Sequence, residues 1–268
     1  MSLHYNIKYG YLDSVVHSKI TQFLTEAQYL QLKQCQSVDD IKLQLCNAGF
    51  QDNFRNDVGS ATPTLIYERC LERLVDQFNE LESHATDELK EFFMWLRIPF
   101  MIDNVVLLIS GIVRSRGLQD LIDRCHPLGM FVGIRALEGA STPEELYQNV
   151  LIDTPLGPLF QKCIKLSTLT EQNIEIIRLN LYREYFDSFY AFCDKLGGES
   201  AEIMKEILIF EADRRSIIIT LNSLKTSLII DDKETLYPRI GRLYPHAIKQ
   251  LVRATSEHDV SGILDAYE

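Results

Sequence analysis

NIEIIRLNLYREYFDSFYAFCDKLGG, residues 173–198, decides the fold class. Ile174, Ile177, Leu181, Tyr185, Phe189, Phe192 and Leu196 recur at steps of three and four. That spacing lays one apolar stripe along a long helix. Gly197-Gly198 ends it, because glycine takes a left-handed backbone without a Cβ clash. Working outward, a second helix is predicted from about Ala201 to Lys225. Upstream, Thr86 to about Arg116 reads as one long helix, bent at Pro99, where a ladder hydrogen bond is lost. Thr25-Glu-Ala-Gln28 is a capping box. Thr62-Pro63 places a cap ahead of a proline whose missing N–H costs nothing in the first turn. Strand signals are weak: no Asn-Gly or Asp-Gly dipeptide occurs, and no alternation is bounded by turns. The fold class is all-α.

The chain has 268 residues, 46% of them hydrophobic, which is ample apolar surface for a packed core and excludes disorder throughout. The formal charge of −11 comes without any basic run, which argues against a nucleic-acid partner and against a polybasic membrane anchor. Ile98–Val113 is the longest apolar stretch, but Asp103 and Asn104 interrupt it and it falls short of a membrane span. MSLHYNIKYG has no apolar core of a signal peptide. The six cysteines form no Cys-x-x-Cys pair and there is no Asn-x-Ser/Thr acceptor, so we expect a reduced, cytosolic protein.

Three segments resemble one another: LKQCQSVDDIKLQL (32–45), LEGASTPEELYQNV (137–150) and LVRATSEHDVSGIL (251–264). Each holds a hydroxyl residue three positions before an acid: Ser37/Asp40, Thr142/Glu145 and Ser256/Asp259. Apolar residues follow at once and four positions later. This is the chemistry of a helix start: the hydroxyl accepts an orphan N–H and the acid sits at the positive helix end. The segments start 105 and 114 residues apart. Phe100-Met-Ile-Asp103 precedes Phe210-Glu-Ala-Asp213 by 110, and Asp76/Phe78 precede Asp187/Phe189 by 111. Arg135-Ala136 and Arg253-Ala254 pair at 118 instead, about one helical turn out of register. We therefore expect one all-helical domain over 1–268, built as repeat 1 (about 13–117), repeat 2 (about 118–227) and repeat 3 (about 228–268). Repeat 3 stops soon after its cap, so a triplicated chain is expected to lack about 50–90 residues of it.

No phosphate-binding glycine loop, dinucleotide fingerprint, zinc helix motif or nucleophile elbow occurs. The six histidines show no i, i+4 pairing. Asp231-Asp232-Lys-Glu234 has the wrong spacing for an aspartate-rich magnesium motif, and His258-Asp259 belongs to a helix cap. Cys125-His126 could pair a thiol with a base, but Pro127 and Gly129 mark a structural loop. No catalytic, cofactor-binding or metal-ligating residue is expected. What remains is charge set into apolar helices. Glu211 can reach Arg214 and Arg215 one turn on, either as a structural ion pair or as a contact point for a partner. Asp103-Asn104 is the equivalent polar break upstream. The aromatic run Tyr182, Tyr185, Phe186, Phe189, Tyr190 and Phe192 reads mostly as core.

Several short strings occur together and in order: Phe100-Met-Ile-Asp-Asn-Val105, Arg124-Cys-His-Pro-Leu-Gly129, Asp153-Thr-Pro-Leu156, Asn173-Ile-Glu-Ile-Ile-Arg178, Phe210-Glu-Ala-Asp-Arg-Arg-Ser216 and Leu243-Tyr-Pro245. With them the whole chain, from Tyr5-Asn6 onward, resembles the family of subunits d of vacuolar-type rotary proton-pumping ATPases and their relatives in the archaeal and bacterial enzymes. Family members continue beyond this C-terminus. The resemblance implies a funnel of three pseudo-symmetric helical units on the cytosolic face of acidic membranes, touching the membrane only through partner subunits. It implies a non-catalytic subunit that couples the central stalk (subunits D and F) to the proteolipid c ring and also meets the cytosolic arm of the a subunit. Candidate partner-facing residues are Asp103, Asn104, Arg124, His126, Glu211, Asp213, Arg214 and Arg215. Two other classes compete. A tetratricopeptide-type helical scaffold would need a period about three times shorter. An all-α magnesium enzyme would need carboxylates at a spacing this chain lacks; such an enzyme should gain thermal stability from magnesium.

Overall fold

The computed structural model describes residues 2–114, 117–139, 143–163, 171–224 and 233–267. Among them the regular structure is helical and no strand occurs, as the periodicity predicts. The α-helices are α1 (Ser2–Ile20), α2 (Glu26–Gln34), α3 (Val38–Leu45), α4 (Pro63–Ser83), α5 (Asp87–Val113), α6 (Leu118–Ile122), α7 (Pro143–Leu146), α8 (Gly157–Cys163), α9 (Glu171–Leu196), α10 (Gly198–Ser223), α11 (His246–Leu251) and α12 (Glu257–Leu264).

The caps form as their chemistry demands. Thr25 accepts the Gln28 N–H and Gln28 returns the bond to the Thr25 N–H. Ser37 with Asp40, and Ser256 with Asp259, make the same reciprocal pair. Their backbones nearly coincide, with φ −131°, ψ 161° at Ser37 and φ −140°, ψ 160° at Ser256. A short helix precedes each: α2 before Ser37, α11 before Ser256. Thr62 accepts the Leu65 N–H at 3.1 Å, with Pro63 opening α4. The cap expected at Thr142 lies outside the described residues, as does Asp231-Asp232.

The chain forms two compact units, residues 1–93 and 94–268. Among the described residues of the first, few side chains are buried; Leu45, Phe54, Ala85 and Phe93 are among them. Polar clamps therefore carry much of the organisation. Arg69 makes a two-pronged contact to Asp57, at 2.8 Å from Nε and 2.7 Å from Nη2, and a further bond to Glu72 at 2.7 Å. Arg73 donates to the Gly49 carbonyl at 2.6 Å and lies over the Phe50 ring, 4.0 Å from its centroid. Gly49 has φ 92°, which only glycine adopts without strain. Lys19 on α1 reaches Glu80 on α4 at 2.5 Å.

The hydrogen bonds from Arg69 hold the Asp57 carboxyl below its ordinary value. A carboxyl depressed on folding stabilises the fold above its unfolded pKa of about 3.9 and loses that contribution as pH falls through its folded value. Asp57→Asn is therefore expected to flatten the acid limb of stability of the 1–93 unit. Hydrogen exchange of its amides between about pH 5 and pH 3 reads this. An acid limb as steep as in the parent would exclude Asp57 as its cause.

In the second unit, α9 and α10 are joined through Gly197 and Gly198, at φ 65° and 69°. That tight connection starts α10 at Gly198, upstream of the expected Ala201. Every residue from Leu181 to Phe186 is buried, as are Ile98, Ile102, Val105 and Leu108 of α5. By length and composition α5 could cross a membrane, but these apolar side chains line the core. A second cluster joins Ile219 of α10 to Tyr237, Leu243, Ala247, Ile248, Leu251, Val252 and Val260. This seats α11 and α12 against α10, and the Tyr237 hydroxyl meets Thr220 Oγ1 at 3.0 Å.

Candidate partner-facing sites

The polar break in α5 splits two ways. Asn104 is 2% exposed. Its Oδ1 accepts the His126 N–H at 2.8 Å, and its Nδ2 donates to the His126 carbonyl at 2.9 Å. Asn104 thus fastens the loop after α6 to α5. The His126 ring stacks on Phe100, 4.0 Å between centroids, and its Nδ1 accepts the Leu128 N–H at 3.2 Å. Burial lowers the His126 pKa, in keeping with a neutral ring that accepts at Nδ1. Gly129 lies so close to α5 that a Cβ there would sit 2.3 Å from the Phe100 carbonyl oxygen. Arg124 stands exposed beside this loop. Cys125 is buried and its thiol pushed up, which disfavours the thiolate a nucleophile needs.

Asp103 points the other way and is half exposed. It meets Arg178 of α9 at 3.5 Å, and Arg178 also pairs with Glu175 at 3.3 Å. Arg215 of α10 lies over the Tyr182 ring, 3.2 Å from the centroid, with its Nε buried and without a hydrogen-bond partner. Burial depresses the Arg215 pKa and raises that of Tyr182, which stays protonated. Asp103, Arg178, Tyr182 and Arg215 therefore form one seam joining α5, α9 and α10.

The charges of α10 also separate. Arg214 grips Glu211 from Nε at 3.0 Å and Nη2 at 2.6 Å, in an exposed pair. Arg215 takes no part in it, since Tyr182 claims its guanidinium. Asp213 accepts the Arg242 N–H at 2.9 Å and the Leu243 N–H at 3.1 Å. Gly241, at φ 118°, packs against that carboxylate, where a Cβ would lie 2.2 Å from Oδ1. Asp187 of α9 takes the Arg239 N–H of the same loop at 3.1 Å.

One charged group was not singled out in the sequence. Arg183 and Glu184 are both buried and joined at 2.7 Å, with Lys162 of α8 at 3.3 Å from Glu184. Arg183 also donates to the Thr235 carbonyl. Desolvation pushes the Glu184 carboxyl up, but Arg183 and Lys162 outweigh it and hold the group below its ordinary value. Two adjacent charges inside an aromatic run were the available signal. Among the described residues no three His, Cys, Asp or Glu side chains are grouped to hold a metal.

Among the described residues the body is helical, and most of the charged candidates fasten its loops and helices to one another, with a few charges left outward. The chain belongs to the family of ATP synthase (C/AC39) subunits, whose model matches residues 12–268. Its similar relatives within that family are subunits d of V-type proton ATPases. Subunit d1 of Arabidopsis thaliana is 41% identical over 266 residues, 99% of this chain and 76% of the relative. Subunit d of Dictyostelium discoideum is 41% identical over 96% of this chain and 73% of its own length. That of Saccharomyces cerevisiae is 39% identical over 99% and 79%. The resemblance read from short motifs thus runs along the whole chain.

Proposed function

We propose that this chain is the non-catalytic coupling subunit of a vacuolar-type proton-pumping ATPase, seated between the rotating stalk (subunits D and F) and the proteolipid c ring. The observation that carries this is identity of about two residues in five with V-type proton ATPase subunits d, sustained over 99% of the chain. The subunit would lie on the cytoplasmic face of acidic membranes, reach the membrane only through its partners, and touch the cytosolic domain of the a subunit. A torque adaptor needs a stiff body, and long helices packed on wide apolar stripes supply stiffness. The net charge of −11 suits basic partner loops. The matched caps at Ser37 and Ser256, each behind a short helix, support a repeated helical unit.

Of the candidate residues, the exposed ones are suited to partners: Arg124, Asp103 and the Glu211–Arg214 pair. Asn104, Asp213 and Arg215 act through the loops and helices they hold, and His126 through its loop. An affinity pull-down of the tagged chain from detergent-solubilised native membranes tests the proposal. Recovery of proteolipid c, the a subunit and the stalk subunits is expected; recovery of none by a chain folded by circular dichroism would overturn it. Arg214→Glu should weaken that recovery about tenfold in low salt and less in high salt, with helicity unchanged. Recovery equal to the parent at every salt concentration would take Arg214 off the interface.

A further inference from the structure

Helix α9 sets three charged residues beside the strap that leads into α11, residues 233–245. Two of them are paired. Arg183 binds Glu184 from Nε at 3.2 Å and from Nη2 at 2.7 Å, and its Nη1 donates to the Thr235 carbonyl of the strap. Lys162 of α8 brings a second cation to Glu184 at 3.3 Å. Asp187 stands one turn further along α9, half-buried, and makes no ion pair among the described residues. Its carboxylate accepts the Arg239 N–H of the strap at 3.1 Å. Arg183 lies four positions from Asp187, within reach on one helix face, but its guanidinium is committed to Glu184 and Thr235. Arg239 itself is exposed, so water screens its charge.

Two carboxylates one turn apart compete for the same cations, and the one left without them is the one that takes up a proton. Glu184 holds both Arg183 and Lys162 and stays ionised. Burial pushes the Asp187 carboxyl above its ordinary value and the Glu184 charge adds to this, while the Arg239 N–H and the Arg239 and Arg183 charges oppose it without cancelling it. The groups facing Asp187 are therefore Glu184 and Arg183 on its own helix and Arg239 on the strap, with Lys162 of α8 acting through Glu184. Asp213 of α10 holds the far end of the strap, at Arg242 and Leu243.

We propose that the strap at 233–245 is a proton-operated clasp: Asp187 takes up a proton when the strap is closed against α9, and closure tightens as pH falls below neutral. A carboxyl raised in the closed form binds its proton more tightly there than in the open form. The closed form is thus penalised above that raised value, gains as pH falls through it, and gains no more below the open-form value of about 3.9. The neutral carboxyl still accepts the Arg239 N–H through its carbonyl oxygen. Tyr237 and Leu243 of the strap are buried in one cluster with α11 and α12, so closure firms the seat of both helices on α10. The clasp is made by described residues of a single unit and needs no other chain.

Hydrogen exchange of the full chain from pH 7 to about 4.5, corrected for intrinsic rates, reads the strap amides. Protection across 235–243 should rise at least about threefold over that range. Asp187→Asn keeps the acceptor and removes the charge, so it should reach the parent's acid-level protection already at pH 7 and stay flat below it. Glu184→Gln frees Arg183 to turn to Asp187 and should shrink the rise. Asp213→Asn should leave the rise in place. Carboxyl carbon NMR of the parent, which needs no variant, should give Asp187 a midpoint above about 3.9. A midpoint at or below that value, a flat parent profile, or an Asp187→Asn profile that still rises would each overturn the proposal. So would loss of the rise in Asp213→Asn alone, which would move the switch to Asp213.

Discussion

Phe189→Ala is expected to cost the 94–268 unit about 3–5 kcal/mol, the usual loss for deleting a buried aromatic ring. Phe189 is 1% exposed at the centre of α9. Its ring lies parallel to Trp95 of α5, with centroids 5.6 Å apart and planes 7° off. Tyr185 and Phe192 flank it at 5.7 and 6.2 Å. Deleting the ring removes its transfer free energy and leaves a void that a stacked aromatic layer cannot close. The chain has a single tryptophan, so the effect has a local optical readout. Trp95 emission should shift and its urea transition should move to a lower midpoint. Phe189→Leu keeps most of the volume and should cost less than half as much. Parent-like midpoint and emission for Phe189→Ala would show that this layer is not the keystone of the α5–α9 packing.

What was legible in the sequence is what is local in space. The stripe from Ile174 to Phe192 was readable because a helix repeats every 3.6 residues whatever it packs against. The caps at Thr25, Ser37, Thr62 and Ser256 were readable because donor and acceptor lie within three residues. The roles of the charged candidates were not, because each is settled by a residue far along the chain. Glu211 can reach position 214 or 215 equally well on a helix. The choice falls to Arg214 because Tyr182 of α9 takes the Arg215 guanidinium. Arg183 and Glu184 stood in plain view, but neighbouring positions on a helix point apart. Only the burial of both, and the approach of Lys162 from α8, makes them an ion cluster. Asn104 and Asp213 appeared as polar breaks open to a partner. In the fold each accepts loop N–H groups, from His126 and from Arg242 with Leu243. Each of those loops also carries a glycine with no room for a Cβ. The spacing of 110 residues pairs Asp103 with Asp213, so the two loop clamps, at Asn104 and Asp213, stand one position out of that register.

Asn104→Leu is expected to destabilise the same unit by about 2–4 kcal/mol, although the side chains are nearly equal in size. Two hydrogen bonds at 2.8 and 2.9 Å are lost together, both to the backbone of His126. The leucine leaves the His126 N–H and carbonyl without partners in a buried setting. The cost of that desolvation exceeds the modest net worth of the bonds themselves. Asn104→Asp separates the two halves of the clamp. The carboxylate still accepts the N–H, but it faces the His126 carbonyl with no proton to donate, so the loop should loosen near neutral pH and tighten as the carboxylate is protonated. Gly129→Ala attacks the same contact from the other side, since its Cβ would collide with the Phe100 carbonyl and with Asn104 Nδ2, at 2.3 and 2.6 Å. If Asn104 acts by holding the loop, all three variants should raise hydrogen exchange across 124–130 before they alter partner binding at saturating concentration. Partner recovery lost with loop protection intact would instead place the Asn104 amide itself against a partner.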